Sequence, residues 1–96
     1  MVIETMTFRL LPARDEAAFL IADKAVQTEF AYHQRGLVRR TTARGAAGTW
    51  IVIDVWHSSA DADSCAARWH DDPTAAKFMA LVDGGSVQVE RYTALD

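Results

Sequence analysis

The sequence predicts an α+β fold: one four-stranded antiparallel sheet with two helices on one of its faces. Three observations predict it. Four segments alternate in character with the period of two that a strand requires. Two segments repeat apolar residues every three or four positions, as a helix does. The six follow one another in the order β-α-β-β-α-β, within the 96 residues of one domain.

The first strand covers residues 2–10. Val2, Glu4, Met6, Phe8 and Leu10 share one face, Ile3, Thr5, Thr7 and Arg9 the other, and Pro12 closes the segment. Residues 14–34 switch to the helical period, with Phe19, Ala22, Val26, Phe30 and His33 on one stripe. Asp15 and Glu16 suit the positive N-terminal end of that helix, and Gly36 is placed to end it. Residues 37–44 and 49–57 alternate again and read as a hairpin around the Gly45–Gly48 turn. In the second of these, Ile51, Ile53 and Val55 lie on one face and Trp50, Val52, Asp54 and Trp56 on the other. Ser58 or Ser59 caps a second helix whose stripe is Ala62, Cys65, Ala66 and Trp69. Asp72-Pro73 restarts it, with Ala75, Phe78, Met79 and Val82 continuing the stripe. Asp83-Gly84-Gly85 is a stop, and residues 86–94 form the last strand.

This order is the split βαβ, or ferredoxin-like, motif. Right-handed crossovers place both helices on the same face of the sheet. The face they leave open is expected to carry Trp50, Val52, Trp56 and Tyr92 among Thr5, Thr7 and Asp54. Two indoles left in water cost roughly 2 kcal/mol or more each. A second copy of the sheet, related by a two-fold axis, would cover them and close a dimeric α/β barrel. The alternative is that the indoles sit at a sheet edge under a loop.

Composition narrows the function classes. Ten basic and 13 acidic residues give a formal charge of −3, and the basic cluster Arg35, Arg39, Arg40 and Arg44 is too small for a nucleic-acid footprint. No run reaches the roughly 18 apolar residues of a membrane span. The N-terminus lacks the basic and apolar regions of a signal peptide, and the single cysteine, Cys65, fits a reducing compartment. A soluble, cytoplasmic protein is expected.

The chain resembles the dimeric α/β-barrel superfamily that includes the antibiotic-biosynthesis-monooxygenase-like domains. The residues that carry the resemblance are Phe8-Arg9-Leu10, Gly36-Leu37 followed by Arg39-Arg40, Trp50, Trp56-His57-Ser58, Phe78 and Arg91-Tyr92. The resemblance implies the ferredoxin-like fold and a homodimer. It also allows either a cofactor-independent monooxygenase of the quinol type or a haem-degrading one. The haem-degrading pattern combines an Asn on the first strand, a Trp on the second helix and a His ten residues later. Trp69 matches the Trp, but Met79 stands at the His position and Met6 near the Asn position, so haem degradation is disfavoured.

Three residue groups are candidates for chemistry. The topology brings the start of the first strand beside the end of the third, so Glu4 is expected near His57 on the helix-covered face. His33 is expected at the same end. A carboxylate beside imidazoles supports proton transfer; solvated residues at element ends are the plainer reading. The three are too scattered for a metal-ligand spacing, so no metal is expected. The second group is the barrel face: Trp50, Asp54, Trp56, Arg39 and Tyr92. There Asp54 should meet an arginine, Arg9 or Arg39 or a symmetry copy, and lock the dimer or serve as a polar handle in a cavity. The third group lies between helices and sheet: Met6, Phe8, Phe30, Trp69, Phe78 and Met79. These are either plain core or, if the helices splay, an apolar pocket for a flat molecule.

The expected function is binding of a small aromatic or apolar molecule, with possible cofactor-independent oxygenation. Trp56 and Trp69 would contact the ligand, and Glu4 or His57 would move a proton. The alternative is a non-catalytic dimeric module filled by its own side chains.

Overall fold

Each helix begins where a side chain can satisfy the free amide groups of the first turn. The computed structural model describes residues 1–12 and 15–96; an expected helix start at Arg14 falls outside them. Helix α1, Glu16–Ala25, is capped by Asp15, which accepts a hydrogen bond from the Ala17 amide at 2.9 Å. Ser58 caps α2, Ser59–Trp69, by accepting from the Asp61 amide at 3.2 Å. Asp72 caps α3, Pro73–Met79, by accepting from the Ala75 amide at 2.8 Å, with Pro73 at the first helical position.

Helix α1 runs into a π turn, Val26–Phe30, and then a 3₁₀ turn, Ala31–His33, rather than continuing regularly to 34. The wider turn keeps Phe19, Val26 and Phe30 on the buried side, while His33 is exposed.

The strands are β1 (Val2–Arg9), β2 (Leu37–Arg44), β3 (Thr49–Trp56) and β4 (Gln88–Thr93). They form one antiparallel sheet in the order β2-β3-β1-β4, as the motif requires. Among the described residues, no helix is long and apolar enough to cross a membrane.

The faces of β3 are reversed from expectation. Trp50 and Trp56 are buried under the helices, and the Phe19 and Trp50 rings are 4.8 Å apart. With Phe8, Val26, Val52, Phe78 and Val82, Phe19 and Trp50 make the main core. Alternation fixes which residues share a face, not which face receives the helices. Packing against the aromatic face buries more apolar area. The open face therefore carries Ile51, Ile53 and Val55, flanked by Ile3, Thr5, Thr7, Thr41 and Tyr92.

Two further expectations change with it. Glu4 is on the covered face, but His57 lies beyond the end of β3 and is exposed. The arginine facing Asp54 is Arg40; Arg39 is opposite Val55 and Arg9 bonds the Ala47 carbonyl.

Candidate functional site

Midway along the covered face, the sheet turns from apolar to charged. Arg91 on β4 pairs in register with Glu4 on β1, Glu4 with Asp54 on β3, and Asp54 with Arg40 on β2. The row reads base, acid, acid, base across all four strands. The main core lies toward one end of it. Toward the other, Val2, Trp56 and Ala62 form a second apolar cluster with Leu37 and Cys65.

The outer arginines are anchored by the helices. Arg40, whose side chain is 3% exposed, donates from Nη2 to Asp23 Oδ1 at 2.7 Å and from Nη1 to Gln27 Oε1 at 3.3 Å. Thr42 Oγ1 donates to the same Asp23 oxygen at 2.9 Å. Gln27 belongs to the π turn, so that irregularity supplies one of the partners of Arg40. At the opposite edge, Arg91 donates from Nη2 to Glu4 Oε2 at 2.9 Å and from Nη1 to Asp63 Oδ1 on α2 at 2.8 Å.

The inner carboxylates are treated unequally. Among the described residues, Asp54 has no such partner. Arg40 Nε is 4.0 Å from its Oδ1, and that buried oxygen has no hydrogen bond among the described residues. Burial pushes the Asp54 carboxyl up to about 6; the Arg40 charge opposes this, and the charges of Glu4 and Asp23 add to it. Two positions along the strand, the buried indole Nε1 of Trp56 is also without a partner among the described residues. Cys65, on α2, feels the same surroundings: burial, then the Asp54 and Glu4 charges, push its thiol up to about 12.

Cys65 also lines a groove of about 450 Å³ with Gln34, Arg35, Ser58, Asp61 and Arg68. It thus stands between this groove and the Trp56 cluster. Gly36 shapes the groove's margin. Its φ is +83°, and a Cβ there would collide with the Asp61 carboxylate. The volume falls in the range of small-molecule sites.

The candidates from sequence are thus divided. Glu4 and Trp56 belong to the charged row and its border, while His33 and His57 are exposed outside it. Phe8, Phe30 and Phe78 are buried, and Met6, Trp69 and Met79 pack against the main core as partly buried residues. Trp69 bridges Phe30 and Phe78, with ring centroids 5.5 and 5.7 Å away. Sequence reasoning missed Asp23, Gln27 and Arg40. A signal existed for Asp23, which falls four residues after Phe19 and three before Val26, on the buried stripe. Among the described residues, no three His, Cys, Asp or Glu side chains are grouped to share a metal ion.

The strand order and the placement of the helices define the ferredoxin-like fold. Solved structures share it across nearly the whole chain. The cofactor-independent oxygenase SnoaB from Streptomyces nogalater superposes with a TM-score of 0.81 at 22% identity, over 99% of this chain and 93% of that one. A candidate antibiotic biosynthesis monooxygenase from Caulobacter crescentus gives 0.81 at 14% identity, over 99% and 90%. Another from Nitrosomonas europaea gives 0.74 at 13% identity, over all of both chains. The fold is therefore that of the antibiotic-biosynthesis-monooxygenase domains. No family model and no curated protein matches the sequence.

Proposed function

We propose that the protein is a homodimer that binds a small aromatic or apolar molecule beside the Glu4–Asp54 pair and oxygenates it without a cofactor. The observation that carries this reading is Asp54: a largely buried carboxyl that burial pushes up to about 6, with one buried oxygen unpartnered among the described residues. A general base works best when its pKa lies near the working pH. The fold shared with SnoaB supports the reaction class.

In this reading Asp54 removes a proton from an acidic C–H or O–H of the substrate. Arg40, 4.0 Å from the carboxylate, offsets the negative charge that develops on the substrate as its proton leaves. Glu4, held by Arg91, keeps Asp54 basic through like-charge repulsion. The substrate anion then supplies electrons to O₂. When an aromatic-flanked CH₂ becomes a carbonyl, two C–H bonds break and one oxygen atom enters the substrate. The other leaves as water, so the substrate provides all four electrons.

The open sheet face supports the dimer. Ile51, Ile53 and Val55, with Ile3 beside them, form an aliphatic stripe that no helix among the described residues covers. A second copy presents the same stripe and is self-complementary under a two-fold axis.

Oxygen uptake on hydroquinones and aromatic ketones with a benzylic CH₂ tests the activity. Turnover lost in Asp54→Asn supports it; no turnover on any member returns the chain to a non-catalytic binding module.

A further inference from the structure

Helix α2 lays a stripe of polar side chains along the groove of about 450 Å³. Asp61, Ser64, Cys65 and Arg68 recur at three and four residues, so they share one helix face. From Asp61 to Arg68 the stripe rises about 10 Å. The opposite wall is Gln34 and Arg35, which follow the 3₁₀ turn. The Gln34 amide is held at both ends: Nε2 donates to the Phe30 carbonyl at 3.1 Å, and Oε1 accepts from Arg68 Nη1 at 3.2 Å. Arg68 is thereby tied to the opposite wall, and its guanidinium has further N–H groups to offer a ligand. Among the described residues, neither Arg35 nor Arg68 forms an ion pair.

We propose that this groove is a binding site for a hydroxylated monocarboxylate, in chemical class a sugar acid. The carboxylate sits at the arginine end, where a planar guanidinium pairs with both of its oxygens. The hydroxyl chain runs back along α2, past Ser64, to Asp61. There Ser58 Oγ donates to Asp61 Oδ2 at 3.0 Å and accepts from the Asp61 amide at 3.2 Å. These two bonds hold the Asp61 carboxylate in place as an acceptor for the ligand's hydroxyl groups. The volume holds a six-carbon chain of this kind.

Charge and lining select this class over its neighbours. Arg35 and Arg68 against Asp61 leave the groove with one net positive charge, which matches a monoanion. Asp61 repels a dianion such as hydrogen phosphate. Both walls are polar apart from Ala60 and Cys65, so a plain hydrocarbon chain finds little apolar surface there. The groove is separate from the carboxylate pair of the sheet, since its lining includes neither Glu4 nor Asp54.

The test is a ¹H–¹⁵N NMR titration at pH 7.5 with gluconate, sorbitol, hexanoate and inorganic phosphate. Sorbitol keeps the hydroxyls without the carboxylate, and hexanoate keeps the carboxylate without the hydroxyls. Gluconate should shift the amides of residues 34–36 and 58–68 saturably, and bind at least about tenfold more tightly than the other three. Arg35→Gln and Arg68→Gln should each weaken gluconate about tenfold, with the rest of the spectrum showing a retained fold. Asp61→Asn should weaken gluconate several-fold yet tighten phosphate, because it removes the repelling charge. Hexanoate or phosphate binding as tightly as gluconate overturns the inference. So does a gluconate affinity unchanged in both arginine variants, or the lack of any saturable shift with gluconate at tens of millimolar.

Discussion

Glu4 and Asp54 are directly opposed across the β1–β3 ladder on the helix-covered face, yet among the described residues only Glu4 has an arginine within hydrogen-bond distance. Like charges placed opposite one another in a sheet repel. The arrangement separates their roles: Arg91 holds Glu4, while Asp54 is left with a distant guanidinium and a high proton affinity. Two carboxyls in unequal surroundings are how one site holds a structural charge and a titratable base together.

Arg40 is the anchor of this arrangement. Arg40→Met leaves Asp23 buried without its counter-charge, and breaking a buried pair this way costs about 3 kcal/mol or more. Urea denaturation at pH 7 measures it. A loss below about 1 kcal/mol would show that the Arg40–Asp23 pair is not a principal support of the fold.

Cys65 should be a slow nucleophile. With its thiol pushed up to about 12, its reaction with iodoacetamide at pH 8 should run roughly a hundredfold slower than that of a free thiol. Removing one of the charges responsible, in Asp54→Asn, should speed it. Labelling followed by mass spectrometry gives both rates.

The open face predicts a dimer broken by a charge. The wild type should sediment as a dimer, and Ile53→Lys, which places an ammonium in the middle of the aliphatic stripe, should sediment as a folded monomer. A wild-type monomer at high micromolar concentration contradicts the proposed dimer.

Asp54 should make the fold less stable as pH rises. Its unfolded value is about 3.9, and its folded value is about 6. The folded state therefore binds the proton more tightly. The group's contribution is fully present below pH 4 and is lost as pH rises through 6. With the side chain 23% exposed, the loss is about 2 kcal/mol. Relative to Asp54→Asn, the wild type should lose about this much between pH 4 and 7, read from paired denaturation curves.

The sequence made the architecture legible because strand and helix periods, capping residues and the glycine stop are local signals. Ser58 and Asp72 cap their helices where expected, and Asp15, expected inside the first turn of its helix, stands one residue before it as the cap. Which side of β3 faces the helices was not legible. Trp50 and Ile51 are both apolar, so the pattern is symmetric, and the choice depends on the area buried against Phe19 and Phe78. The charged row was legible only in part. Glu4 stood out as a carboxylate within a strand, but its partners come from distant segments aligned by register. Arg40 read as part of a small basic cluster because nothing local marks it for burial. The π turn that brings Gln27 to Arg40 has no signature separate from the helical period.

The most direct test is the carboxyl ¹³C titration of Asp54 by NMR in the folded, ligand-free protein. The midpoint should fall near pH 6. A midpoint near 4, the value of an ordinary aspartate, would contradict it, because Asp54 would then be neither desolvated nor poised as a base.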